Sequence, residues 1–399
     1  MIGPGRGVAN RMSHFSVLLA CTLAVGCGLA GGDGAGVERA DSAGVEIVTS
    51  PAQDRPLAWS FRAAFRVGGA EEGPESFYAV WPSGIGVDSA GRIYVLDPRG
   101  DRLVVFSESG EFVRTFGSRG EGPGEMASPA SLAVSWTGET AVFDYGKLGL
   151  VRYDPNGAPL PEAPFPHPPM PNQQRHFAWA GDGATVSTMM PGTAGERVNA
   201  LLGLRATDTV RLAQVVLPAS RMVMYESCGG GLNLPPLFSP EIVWDRQGGR
   251  LAVNSVPGYV VDIYEGTRRV RSLRRHLEPA ATTRELAIRD LGDGFRINFG
   301  RGLCLIPSHE MVDGRGFATP VPLIEHVRVA ASGEVWVQRR VVGQPGNGPI
   351  DVFDAGGAYV GTLEAGTAMP LLLLPNGRVA LEESDELDVE RLVVAEIVR

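Results

Sequence analysis

A turn glycine recurring six times, a pair of apolar residues ahead of each, and 53 glycines plus 30 prolines in 399 residues predict an all-β chain. The architecture they predict is a six-bladed β-propeller of four-stranded antiparallel blades. The anchors are Gly91, Gly138, Gly183, Gly248, Gly333 and Gly377. Six and four places earlier stand Ile85/Val87, Leu132/Val134, Phe177/Trp179, Ile242/Trp244, Val327/Val329 and Leu371/Leu373. Period-2 alternation is the mark of a strand with one buried face.

The chain opens with a processing segment. Arg6 and Arg11 precede Phe15–Gly26, an apolar run of twelve, too short to span a bilayer and right for the core of a signal peptide. It ends in Ala24-Val25-Gly26-Cys27, which resembles a bacterial lipobox with Ala24 where leucine is usual. Leu18-Leu19-Ala20-Cys21 fits the letters better but leaves too short an apolar core, so Cys27 is the expected lipidation site; a plain secretory signal is the alternative. Residues 27–42 are polar and glycine-rich, a flexible tether. Gly28 after the cysteine favours the outer membrane by resemblance to lipoproteins. The expected organisation is a signal peptide over 1–26, the tether over 27–42 and the propeller over 43–399. The expected location is the periplasm or outer membrane, with the membrane engaged through the lipid alone.

The first two units superpose without a gap at a spacing of 47, and the later spacings are 45, 65, 85 and 44. Ile93–Val95, Leu103–Phe106 and Phe112–Phe116 follow the first anchor as strands, with Asp88-Ser89-Ala90-Gly91 and Glu108-Ser109-Gly110 as turns. Asp97, Asp144 and Asn254 end second strands, where Asx side chains bond their own turns. The third unit, His176 to Val216, is the least regular, and the third and fourth carry insertions. The sixth supplies three strands, Leu371–Leu374, Arg378–Glu382 and Val389–Ile397. Its fourth is expected to be Val45–Thr49, so that pairing of N- and C-terminal strands closes the ring.

The segments DSAGRIYVLD, VVFSESGEFVRTFG and GSRGEGPGEMASPASLAV resemble the NHL repeat, and the chain is similar to exported six-bladed propeller lipoproteins of bacteria. The match is specific over about 83–165. The resemblance implies a propeller, and its members range from protein-binding scaffolds to lyases and lactonase-like enzymes, so fold alone does not choose a function.

In such a propeller the connections between blades lie on the face where inner strands begin. Tyr225–Pro236 and the long insertion His276–Val321 fall there, and loops of that length tend to be functional. Thr282–Leu291 has the pattern of a short helix capped by Thr282 or Thr283, with Glu285 in its first turn. Cys228 and Cys304 lie on the same face in adjacent connections, and in an oxidising compartment they are expected to pair.

Seven places before three consecutive anchors stand His176, Glu241 and His326, residue types that ligate a divalent cation such as zinc. The other reading is of polar residues capping strand starts, and no HExxH spacing supports a metal. The EGPGE loop lacks the Lys and Ser/Thr of a phosphate-binding loop, and no G-x-S-x-G elbow occurs. A net charge of −9, with Lys147 the single lysine, argues against a nucleic-acid partner. The expected function is a binding or scaffolding module at the envelope, taking a protein, peptide or glycan ligand through the insertion face. The alternative is a lyase-like or lactonase-like enzyme with a divalent cation as cofactor on the axis.

Overall fold

The computed structural model describes residues 36–399 apart from 70–72, 78, 166–176, 181–182, 194, 206–207, 299, 301, 344–346, 385 and 387–388. Residues 1–35, with Cys27, lie outside the described residues.

Six antiparallel sheets follow one another as blades. In the first, Ile85–Val87, Ile93–Asp97, Arg102–Phe106 and Phe112–Phe116 pair in chain order. The second runs from Pro129–Val134 to Pro159–Pro164, and the third from Phe177–Ala180 to Thr209–Leu217. The fourth runs from Val243–Gln247 to Arg268–Arg275, and the fifth from Ile324–Val329 to Tyr359–Leu363.

Blades pack face to face, so second strands of the blades have no solvent side. Ile93–Asp97 and Thr140–Asp144 are buried at every position. Each junction between blades has its own apolar core. Tyr94, Leu103 and Val105 of the first blade meet Leu132, Val142 and Val151 of the second. Ala178 and Leu201 of the third meet Trp244 and Leu251 of the fourth. Trp336 and Val352 of the fifth meet Leu373, Val379 and Ala395 of the sixth. Burying each of the larger side chains stabilises the ring by about 1.5–3 kcal/mol.

Polar stitches set the spacing of these junctions. Asp88 takes the amides of Ala90 and Arg92, the Arg92 guanidinium at 2.6 Å and the Tyr94 hydroxyl at 3.0 Å. Gly138, at φ +92°, sits against that cluster, where a Cβ would come within 2.8 Å of an Arg92 Nη. Asp97 and Asp144 accept from Gly100 and Lys147 of their own turns, and Asn254 donates to Gly258 and Val260. Between the fourth and fifth blades Arg275 and Asp351, both fully buried, pair at 2.8 Å. Tyr259 and Thr362 donate to the same carboxylate at 2.7 and 2.6 Å. Arg275 and Arg339 also hold Asp54, which ties the N-terminal segment to this junction.

The ring closes by pairing of N- and C-terminal strands as expected, but through a different N-terminal strand. The sixth blade consists of Leu372–Leu373, Arg378–Ser384 and Glu390–Val398, and its outer strand is Ser60–Val67. That strand runs antiparallel to the C-terminal one, from Ser60↔Val398 to Val67↔Leu392. Val45–Ser50 instead lies parallel to Arg268–Arg275, and with Glu38–Ser42 it extends the fourth blade to six strands. Chain proximity explains the difference. The outer strand of the last blade leads directly into the first inner strand, and Ser60–Val67 is the nearer of the two candidates. The third blade is also more regular than its sequence suggests. Its strands Gly183–Pro191, Arg197–Arg205 and Thr209–Leu217 have nine residues each and pair along their length, so the irregularity is one of length.

Leu392 is fully buried in the closing ladder, so Leu392→Ala should lower stability to urea by about 2–5 kcal/mol. A chain lacking 36–50 should still melt cooperatively, whereas one lacking 36–67 should not. Cooperative melting of the shorter chain would overturn this closure.

Candidate functional site

Two insertions stand on the face where the inner strands begin. The connection from the third to the fourth blade forms a hairpin of Arg221–Tyr225 and Gly230–Leu234. The connection from the fourth to the fifth forms helix α1 (Arg284–Leu291), a hairpin of Gly294–Asn298 and Leu303–Pro307, and helix α2 (Ser308–Arg315). Thr283 caps α1 by accepting the amide of Leu286, with Glu285 in the first turn as the sequence indicates.

The two insertions form one cap. Tyr225, Ile306 and Met311 are buried together, with Val223, Leu232, Leu234 and Ile297 packed around them. The Tyr225 hydroxyl lies 3.2 Å from the Met311 sulfur. Arg284 meets Asp313 through two contacts of 2.7 and 2.8 Å. Arg221 donates to the carbonyl of Gly314, and the amide of Leu237 donates to Gly316. Cys228 and Cys304 are joined by a disulfide with Cα atoms 5.8 Å apart. Because it closes a sequence separation of 76, such a link typically contributes about 2–4 kcal/mol.

Beneath this cap, against the extended rim of the third blade, lies an open recess of about 430 Å³. Met189, Arg197, Asn199 and Leu217 come from the third blade. Leu234, Phe238, Ser239 and Glu241 come from the first insertion and its exit, Arg315 from the end of α2, and Arg340 from the fifth blade. That volume is in the range of small-molecule sites, about 300–1,000 Å³. At the end of the axis bounded by Gly86, Ala133, Trp179, Gln247 and Leu372 the free volume is about 20 Å³, room for a single water. Arg246 crosses there to Thr185 at 2.6 Å, and Arg328 donates to the carbonyls of Pro370 and Leu371. The roomier of these two spaces is therefore on the insertion side.

Of the three residues that the column pattern singled out, Glu241 is on the wall of the recess, 3.5 Å from an Arg340 Nη. Burial raises the pKa of its carboxyl; Arg340 opposes the rise and Glu325 adds to it. His326 stands at the start of the fifth inner strand, opposite Gln338. Burial, then Arg328 and Arg340, press its pKa down to about 3. His176 lies outside the described residues. Among the described residues no three or more His, Cys, Asp or Glu side chains gather as a cation site would need. Arg340 is the neighbour that Glu241 and His326 share. Sequence reasoning missed Arg197, Arg315, Arg340 and Phe238, although the insertion lengths pointed to the region that holds them.

The EGPGE loop is filled by its own side chain. Glu125 accepts the amide of Gly122, and a Cβ at Gly120 would fall 2.0 Å from the Glu125 carboxylate. The Tyr153 hydroxyl and the Lys147 amine bond loop carbonyls, so these glycines serve the turn.

Comparisons with known proteins follow the same outline. A family described as a six-bladed β-propeller, DUF5128, matches residues 74–184. The RING finger protein nhl-1 of Caenorhabditis elegans is 38% identical over 98 residues, which are 25% of this chain and 9% of that protein. Among solved structures, a Bacteroides fragilis protein described as exported aligns with 88% of this chain and 100% of its own, at 10% identity and a TM-score of 0.47. A duf4221 family member of Bacteroides vulgatus aligns over 85% and 98%, at 9% identity and a TM-score of 0.48. Virginiamycin B lyase of Staphylococcus aureus aligns over 84% and 98%, at 10% identity and a TM-score of 0.34.

His326 yields a pH prediction. The unfolded chain takes up its proton near pH 6.5, while the folded chain resists it down to about pH 3. Protons thus favour the unfolded state across that window, and stability contributed by neutral His326 is lost as pH falls from about 6.5 toward 3. Melting curves of the wild type and His326→Gln at pH 7 and pH 5 check this. The wild type should lose more stability than the variant, and equal losses would contradict the assignment.

Proposed function

We propose that this chain is an exported β-propeller, anchored through Cys27, that works as a binding module with its insertion face turned to the ligand. The observation that carries the reading is the recess of about 430 Å³ between the disulfide-linked cap and the rim of the third blade. Several features support it. The insertions are the parts of the chain that the ring does not require. The recess combines apolar walls with a few charged groups, the usual composition of a ligand site. A signal-peptide core followed by Cys27 fits delivery to the envelope, and the disulfide suits an oxidising compartment.

The enzyme reading, with a cation on the axis, has less support. Arg328 and Arg340 face His326, and their charge disfavours a cation beside it.

Native mass spectrometry of the protein released from its own envelope tests the binding role. The wild type should carry a bound mass, Ser239→Trp should lose it by filling the recess, and Asn376→Trp on the opposite face should keep it. A bound mass indifferent to Ser239→Trp, or no bound mass, would remove the recess as the binding site. In the same cells Cys27→Ala should move the protein from the membrane fraction to the soluble exported fraction. Retention of that variant in the membrane would contradict the anchor.

A further inference from the structure

We infer that the recess is an anion site whose ligand is a small organic acid, one or two carboxylates carried on an apolar body. This inference rests on the reading of the recess as the binding site and gives it a chemistry. Three arginines line the space, Arg197, Arg315 and Arg340, against one acid, Glu241. Among the described residues no carboxylate lies within 4 Å of Arg197 or Arg315, and Arg340 approaches Glu241 only to 3.5 Å. The wall therefore carries a formal charge of +2, in a chain whose net charge is −9.

Several arginines of the blades are answered by an acid, whereas among the described residues Arg197 and Arg315 are not. Arg92, Arg102 and Arg275 each meet a carboxylate at hydrogen-bond distance. Arg315 is half-buried, and its Nε donates to the carbonyl of Pro235 at 2.8 Å. That bond leaves the Nη groups of Arg315, a residue of the recess wall, with no carboxylate within 4 Å among the described residues. Burial depresses the pKa of this guanidinium, opposed only by Tyr225. A cation drawn out of water without a counter-charge is costly, and a bound anion removes the cost. The Nε of Arg340 is buried without a hydrogen-bond partner, and its guanidinium lies 5.9 Å from the centre of the Phe238 ring.

The remaining wall selects the body of the ligand. Met189, Leu217, Leu234 and Phe238 are apolar, and they suit a short aliphatic or aromatic chain. A carboxylate matches the planar fork of arginine in two parallel bonds. A phosphoryl group would concentrate about two charges on one centre next to Glu241 and suits the wall less well.

The test uses the full exported chain with hexanoate and adipate as probes, against hexylamine, hexanamide and inorganic phosphate. Calorimetry and melting curves should show binding of the two acids and none of the amine or amide. Arg315→Met and Arg340→Met should weaken acid binding about tenfold or more, Arg315→Lys should recover part of it, and Arg114→Met on the first blade should leave it unchanged. Without ligand, Arg315→Met should keep or raise the melting temperature, because it removes a desolvated cation. A fall in melting temperature would give Arg315 a structural role and overturn the inference. So would binding of phosphate or amine in place of the acids, or failure of both acids to bind. If the wild type still carries a Ser239-sensitive mass from its envelope in that event, the recess stands as a binding site and only the ligand class is wrong.

Discussion

The molecule depends on a ladder between its two ends. Ser60–Val67 and Glu390–Val398 are more than three hundred residues apart in the chain, and their pairing turns a row of blades into a ring. Without it the sixth blade has three strands and an open edge, and its junction with the first blade loses Phe65 and Val67. The strand also reaches forward, since the Phe65 ring occupies the place where a side chain at Gly110 of the first blade would stand. Contacts of such separation must overcome their loop-closure entropy before they contribute, which slows the closing of a ring. The local hairpins of each blade can form before it, and the ladder commits them to one another.

The repeats were legible in the sequence because each is written by local constraints. A buried inner strand demands apolar residues at alternate positions, and a tight turn after it demands a glycine. Both constraints act within ten residues, so they survive in all six units, including the long third blade. The closing strand was not legible in the same way. Ser60–Val67 alternates as well, with Phe61, Ala63, Phe65 and Val67 on one face and Arg62 and Arg66 on the other, so pattern alone did not choose between it and Val45–Thr49. What decides between them is distance along the chain to the first inner strand, a property of the ring and of neither segment.

The cap was visible only as extra length. Helix α1 announced itself through Thr283 and Glu285, whereas α2 begins after Pro307 with no side-chain cap and holds Gly314 within it. The hairpins were hidden because their outward faces are apolar too. Met222 and Met224 are about two-thirds exposed, as is Leu303 to a still greater degree, so the alternation that marks a strand is lost. The two cysteines could be placed near each other because they lie in neighbouring connections on one face. The arginines could not be ranked at all. All but one of the 36 basic residues are arginine, and what sets Arg197 and Arg315 apart is that they line the recess with no acid beside them, which is a fact of tertiary structure.

That absence joins the scaffold to the site. In the regular blades several buried charges are answered by an opposite one, as Asp88 is by Arg92 and Asp351 by Arg275, and buried Asp144 is answered by backbone amides; left bare, such a charge would destabilise a junction on which the ring relies. The cap is outside that obligation. It rests on a ring already closed, is held by its own disulfide and apolar core, and carries the half-buried Arg315 on a backbone carbonyl. A wall with more cations than acids is what separates the insertions from the six blades that support them.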